Sequence, residues 1–359
     1  MHVGLSAFFQ NLSDERTDAE VYDFELGLVD LAEPLGFDGV WCAEHHFDNY
    51  MMCPNVLQFL TWVAARTSKV KVGSMVVVLP WHDPMWVAEQ FSVLDHMSQG
   101  RAILGIGRGL APIEFEGFRV EMGESRERFM ESAEAIIRGF ESGYMQYDGK
   151  YYKQPRSEIR PAPRRSLEGR IYASSNSPSS ANMMAELGIG LMIVAQKPWD
   201  AVVSDLEGYK NVYNDVNSAD PPKPILLTLT AVHESEDGAR ELRERYLMRY
   251  AQSLLDHYDF ANADIGKVPG YEYYKDLSGM IKGQGADVFK NAYCDLQISG
   301  TPDQVAEKLI ESVRLIDGAA LLQILSFGGM PQDVAEANMR LFADKVLPIL
   351  QAEDVGVTL

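Results

Sequence analysis

Residues 39–50 read GVWCAEHHFDNY, and the reading of this stretch decides the fold. GVWC is a short apolar run of the kind that forms a strand, and a glutamate and two adjacent histidines follow where it ends. Neighbouring side chains of a strand point to opposite faces, so a packing role for both histidines is awkward. At the catalytic end of a strand the same pair can serve a pocket. The chain has only seven histidines, which makes the doublet worth explaining. The explanation depends on whether the rest of the chain repeats the pattern.

It does. Short β-rich runs recur at 2–8 (HVGLSAF), 70–78 (VKVGSMVVV), 102–107 (AILGIG), 170–174 (RIYAS), 190–195 (GLMIVA), 224–232 (PILLTLTAV) and 319–325 (AALLQIL). Helical patterns fall between them, at 20–35, 84–98, 124–141, 178–187, 199–214, 235–256, 302–316 and 331–346. In 20–35 the apolar residues Val21, Phe24, Leu28, Leu31 and Leu35 step by three and four, the mark of a one-faced helix. Segment 84–98 opens on Pro84 and stops at Gly100, matching the preferred first and last positions of a helix. Strand and helix alternating some eight times predict a parallel sheet with helical crossovers. Eight such units close into a (β/α)8 TIM barrel. A doubly wound open sheet is the alternative, and eight units in one unbroken series count against it. The chain shows no internal repeat, low-complexity tract or linker, so residues 1–359 read as a single domain.

Insertions are expected after strands four and seven. Residues 108–123 follow strand four, and 144–169 reads as a hairpin with a proline-rich return. The longest irregular region, 257–300, is rich in Gly, Tyr and Lys and reads as a mobile lid over the barrel mouth.

Composition narrows the function. Hydrophobic residues make up 46% and charged residues 23%, and net charge is −20. That acidity argues against a nucleic-acid or anionic-membrane partner. An anionic ligand would have to be held by a few local arginines and backbone amides. The cysteines, Cys42, Cys53 and Cys294, lack C-x-x-C spacing, so neither a disulfide framework nor a structural zinc is expected. The N-terminus has no basic signal-like region and no apolar run reaches a membrane span. A soluble cytoplasmic protein is expected.

In such barrels the chemistry sits on loops at the C-terminal ends of the strands. EHH (44–46), LPWHDP (79–84), GRG (107–109), SSNSPSS (174–180) and Gln196 all fall there, so one mouth gathers them. SSNSPSS lies between a strand and a helix. Free N–H groups at a helix N-terminus with hydroxyls beside them make a phosphate cradle, and five serines exceed what an ordinary cap needs. Arg108 and Arg126 would supply the charge. Glu124 and Arg128 are spaced to pair with each other, whereas Arg126 has no carboxylate three or four residues away. GIGRG (105–109) is not a dinucleotide fingerprint: its spacing is wrong, and Pro112 is expected to interrupt any helix directly after it. Its glycines instead let a flat ring lie close to the backbone. A metal site is not expected, because adjacent residues on a strand diverge and HExxH is absent. One histidine of the doublet is expected to move protons in the pocket, the other to be packed and hydrogen-bonded.

Taken together, EHHF (44–47), VVLP with H-x-P (77–84), LDHMSQGR (94–101), GIGRG, the SR at 125–126, the serine cluster and GTPDQV (300–305) resemble the bacterial luciferase-like flavin-dependent monooxygenases, most closely the alkanal monooxygenase branch. The resemblance runs from the first strand to the final helix. It implies a (β/α)8 barrel that binds reduced FMN delivered by a separate flavin reductase, with O2 as co-substrate. In that family oxygen adds at flavin C4a and the resulting peroxide oxidises the substrate. His45 matches the catalytic histidine, and His46 a second histidine near the flavin. Arg108, Arg126, Asn176, Ser177 and Ser180 fall on phosphate-binding positions. Met75 and Val76 fall where the family carries a non-prolyl cis peptide beneath the ring, and the 257–290 segment overlies its mobile loop. This chain departs from the luciferases in three places. Gly107 replaces a reactive cysteine, Asn176 a glutamate, and Gln196 a tryptophan, so light emission is not expected.

The reaction implied is oxygenation of an apolar carbonyl or aromatic compound, in a pocket to which Phe8, Met75 and Trp81 contribute. Deazaflavin-dependent hydride transfer and a non-catalytic flavin-binding subunit are the alternatives. A homodimer is expected from the resemblance, with Met85, Trp86, Phe91 and Val93 as contact candidates.

Overall fold

The computed structural model of the chain describes residues 1–12, 16–261, 265–356 and 359. Eight strands form the core: β1 (His2–Ala7), β2 (Gly39–Cys42), β3 (Lys71–Ser74), β4 (Ala102–Gly107), β5 (Ile171–Ser174), β6 (Gly190–Val194), β7 (Ile225–Val232) and β8 (Ala320–Ile324). All pair in parallel with their sequence neighbours. The pairing of β7 with β8 and of β1 with β8, in register His2 to Ala320, closes the ring. The barrel read from the sequence is therefore the barrel found. A short strand, Ile298–Gly300, adds on beside the end of β7.

What fills the ring explains why β1, β2 and β3 carry glycines. Trp41 is fully buried, and a Cβ placed on Gly4 would lie 2.5 Å from its Nε1. A Cβ on Gly73, the residue paired with Trp41 across β2 and β3, would fall inside contact distance of the indole ring. One large side chain thus occupies the space of three. Three polar side chains inside the barrel satisfy one another, although the indole N–H of Trp41 has no partner among the described residues. Thr230 Oγ1 donates to Gln323 Oε1 (2.6 Å), and Gln323 Nε2 donates to Thr228 Oγ1 (3.0 Å). Leaving such groups unpaired in this interior would be costly.

Around the ring run α1 (Asp18–Asp30), α2 (Val56–Arg66), α3 (Pro84–Met97), α4 (Pro112–Phe118), α5 (Ser125–Ser142), α6 (Pro178–Glu186), α7 (Trp199–Asn217), α8 (Glu236–Leu242), α9 (Met248–His257), α10 (Lys275–Gln284), α11 (Ala286–Leu296), α12 (Pro302–Leu315) and α13 (Gln332–Leu341). Two of the family motifs prove to be architectural. In GTPDQV, Thr301 and Gln304 form a capping box and Pro302 takes the first helical position of α12. In LDHMSQGR, the fully buried Asp95 accepts from Arg170 and from the amide of Arg164 (2.8 Å), while Arg101 donates to the carbonyls of Ala64, Thr67 and Val70.

Three expectations need correction. The helix α2 was not foreseen, although Val56, Phe59, Leu60, Val63 and Ala64 recur at helical spacing and are its buried face. Pro112 does not interrupt a helix: it starts α4, at the position where its missing N–H costs nothing. The region 257–300 is not irregular. It contains α10, α11 and the short lateral strand, and its residues 270–274 fold over the barrel mouth. The expected hairpin is present, as antiparallel strands Tyr144–Asp148 and Lys153–Glu158.

Replacing Gly73 with Ala should overpack the barrel against Trp41 and lower stability by about 1–3 kcal/mol. Urea unfolding followed by Trp fluorescence measures it, and an unchanged midpoint would contradict the packing described.

Candidate active site

The C-terminal ends of the strands surround a cleft of about 1250 Å³, counting the solvent at its mouth. Its lining includes Phe8, His45, Met75, Gly107, Asn176 and Tyr271. Val76, Arg108, Ser177, Ser180 and Gln196 line it as well, so every site residue named from the sequence except His46 and Arg126 reaches it.

At one end two guanidinium groups converge. Arg108 Nη1 donates to the carbonyl of Gly270 (2.8 Å), and Arg126 Nη2 reaches the same carbonyl (3.4 Å) and Ser179 Oγ (3.1 Å). Arg126 Nε is buried with no partner, and among the described residues neither arginine forms an ion pair. The exposed Glu272 turns instead to the Gly270 N–H (3.0 Å). Ser177 caps α6 by accepting from the amide of Ser180, and the two hydroxyls lie 2.8 Å apart. Donors outnumber acceptors here, beside a helix N-terminus. That is the demand an anion would meet. Gly270 has φ +85, and a Cβ on it would lie 3.0 Å from Arg108 Nη1, so only glycine brings its carbonyl to both arginines.

Tyr271 fixes Arg108 from below. The guanidinium carbon sits 3.9 Å from its ring centre. Its hydroxyl donates to the Gly109 carbonyl (2.8 Å) and therefore accepts from Ser125 (3.0 Å). Burial raises this phenol to about 12, so it stays protonated.

Along the floor the Met75–Val76 peptide bond is cis. A Cβ on Gly107 would collide with the Val76 side chain. Any side chain at position 107 would have to displace Val76. Asn176 Nδ2 donates to Gln196 Oε1 (3.4 Å) beside the serine cluster.

The histidine doublet splits. His46 turns away from the cleft: its Nε2 meets Glu44 Oε1 at 3.0 Å, and its ring packs edge-on against Phe118. His46, expected near the flavin, does not line the cleft; Glu44 and Phe118 hold its ring. Glu44 also accepts from His82 Nε2 (2.6 Å), Trp81 Nε1 (2.8 Å) and the Val78 amide (3.0 Å). Burial alone would raise this carboxyl, but hydrogen bonds from His46 and His82 outweigh it and bring it down to about 2. Trp81, expected in the pocket, is held by this cluster and stacks on Phe118 (5.2 Å).

His45 faces the cleft. Its Nδ1 lies 2.9 Å from Glu114 Oε1, which also accepts the His46 amide (2.9 Å), and 3.1 Å from His257 Nε2. Its Nε2 has no partner among the described residues. The other nitrogen of His257 meets Asp48 Oδ2 at 2.5 Å. The donor atoms of His45, Glu114 and His257 lie within 4.8 Å of one another. His45 hydrogen-bonds directly to both of the others, which makes the cluster a network able to pass protons. Tyr50, Tyr250 and Tyr258 wall this end, all with phenols pushed up by burial.

A family model described as luciferase-like monooxygenase matches residues 1–317. The chain belongs to the luciferase-like monooxygenases. It is 26% identical to the alkanal monooxygenase alpha chain of Photorhabdus luminescens over 350 residues, 93% of each chain. It is 26% identical to the oxygenase component of the flavin-dependent trigonelline monooxygenase of Acinetobacter baylyi, over 67% of each. The crystal structure of monooxygenase RslO1 from Streptomyces bottropensis superposes with a TM-score of 0.80 at 25% identity, covering 97% of this chain and 99% of that one.

Within this luciferase-like monooxygenase, sequence reasoning missed Glu114, His257 and Ser179. Ser179 lay inside the quoted serine cluster. Glu114 was legible only as a carboxylate in the apolar stretch PIEFEGF. Nothing in the sequence connects His257 to His45, because their contact depends on the crossing of α9 over the mouth.

Replacing Glu44 with Gln should cost about 3 kcal/mol near neutral pH. A depressed carboxyl stabilises fully above its unfolded value of 4.5 and loses that contribution as pH falls towards about 2. The gap between variant and wild type should therefore close on acidification through that window, as urea titrations at several pH values would measure.

Proposed function

We propose that this luciferase-like monooxygenase is an oxygenase component that takes reduced FMN from a separate flavin reductase and uses O2 to oxygenate an apolar carbonyl or aromatic compound. The observation that carries the reading is the convergence of Arg108, Arg126 and the serine-capped start of α6, with the Arg126 Nε buried and unsatisfied. In an acidic protein, that surplus of donors at a cleft suits a dianionic phosphate tail. Bound there, the reduced flavin supplies the activation of O2.

This chain's own residues do the rest. Arg108, Arg126, Ser177, Ser179 and Ser180 hold the phosphate. Gly107 and the Met75–Val76 turn offer a flat floor with no side chain rising at Gly107, and Asn176 and Gln196 offer polar contacts beside it. His45 accepts or returns a proton at Nε2. Phe8, Met51, Tyr50 and Tyr250 give the far end an apolar wall that excludes water and favours an apolar substrate. The name of the Acinetobacter relative, an oxygenase component, supports the separate reductase.

The homodimer is part of the proposal. On α3, Trp86 (64% exposed), Val93 and Met97 form an exposed apolar stripe at helical spacing, whereas Phe91 is fully buried and drops out of the contact set. A second copy of the same face would cover it.

Two measurements test these readings. Arg126→Ala should weaken binding of FMN about 10-fold or more, from the loss of charged hydrogen bonds, and leave riboflavin binding unchanged. Equal loss for both ligands would move the phosphate elsewhere. Trp86→Glu should convert a dimer to a monomer in light scattering; a monomeric wild type would remove the dimer from the proposal.

A further inference from the structure

We propose that His257 and Asp48 carry protons between solvent and His45, a role that rests on the reading of the cleft as an oxygenation site. The argument begins with a count of N–H groups. The His257 side chain is 1% exposed, and burial lowers its affinity for a second proton despite the neighbouring carboxylates. A neutral His257 has a single ring N–H. The Asp48 carboxylate, 2.5 Å from Nδ1, claims it. Nε2 of His257 is then a lone pair, and its 3.1 Å contact with His45 Nδ1 requires the proton to be on His45. The unpartnered Nε2 of His45 therefore meets the cleft as a base. Glu114 Oε1, 2.9 Å from His45 Nδ1, accepts the same proton, so Asp48, acting through His257, reinforces the tautomer that turns Nε2 to the substrate.

The same chain conducts. When His45 Nε2 takes a proton from the cleft, its Nδ1 proton passes to His257 Nε2. The Nδ1 proton of His257 passes to Asp48 Oδ2, and Asp48, 27% exposed, releases it to water. One proton has left the cleft, and both imidazoles now carry hydrogen on Nε2. The reverse passage returns one proton to the cleft and restores the first tautomers. Glu114 Oε1 lies 2.9 Å from His45 Nδ1 and 3.7 Å from His257 Nε2, so it favours the first state, in which Nδ1 of His45 carries the proton, and draws the network back to it. The other groups facing His257 are Tyr50, stacked at 4.3 Å, and Tyr258, edge-on at 4.8 Å. Both phenols stay neutral, so they neither supply nor trap the proton. The wire gives a cleft walled by aromatic rings a route for protons that does not admit water.

The flavin-free protein tests the tautomers and the loaded protein tests the traffic. In 15N spectra of histidine side chains, wild type should show His45 and His257 both protonated on Nδ1. Asp48→Ala should shift His45 towards the Nε2-protonated form. Unchanged His45 resonances in Asp48→Ala and His257→Gln would overturn the proposal. In turnover, His257→Ala should lower kcat about 10- to 100-fold, with KM and FMN affinity within about twofold, and added imidazole should restore part of the rate. His257→Gln, which refills the space but cannot relay, should be as slow as His257→Ala. Full activity in either variant would overturn the wire, as would a parallel loss of FMN affinity that imidazole does not repair. If reduced FMN supports no turnover in wild type, the oxygenase reading fails, and the spectra alone judge the network.

Discussion

The mouth of this barrel is organised by one buried carboxylate. Glu44 sits at the end of β2 and collects four hydrogen bonds, two from imidazoles, one from an indole and one from a backbone amide. Three of those donors belong to the turn that follows β3, so the charge ties two successive strand ends together. A carboxylate out of water survives only when its lone pairs are met in this way. The arrangement also settles the histidine doublet. With His46 drawn into the Glu44 cluster, His45 is left to face the cleft.

The barrel itself was legible because each of its strands is a short apolar run and each crossover is punctuated by proline, glycine or a capping residue. The convergence of the serine cluster with Arg108 and Arg126 was legible for a similar reason: serines crowd a helix start, and two arginines follow strand four within twenty residues of each other. Both signals are local. What escaped was the second tier. Glu114 sits on a helix that Pro112 seemed to forbid, and His257 lies 212 residues from its partner. Such contacts arise from closure of the ring and from the crossing of α9, and no window of sequence contains them. Trp81 was placed in the pocket on its apolar character, but its indole N–H needed an acceptor and Glu44 supplied one.

Charge is used sparingly in this molecule. Net charge is −20, and the two arginines beside the serine cluster make no ion pair among the described residues. Several other cations are paired locally: Arg170 with Asp95, Lys197 with Asp205, Arg128 with Glu124. The two converging guanidinium groups put positive charge at one end of the cleft of an otherwise acidic chain. Such a placement attracts anions of matching shape while the surrounding field repels others.

The carbonyl of Gly270 has a consequence of its own. It is held by both arginines and belongs to the segment that covers the mouth. An anion held by these arginines, as proposed, would have to displace it, and the carbonyl would compete for the same donors whenever the anion left. Occupancy of the site and the posture of its cover are thereby linked through one oxygen atom, an arrangement suited to a ligand that must arrive and leave in every cycle.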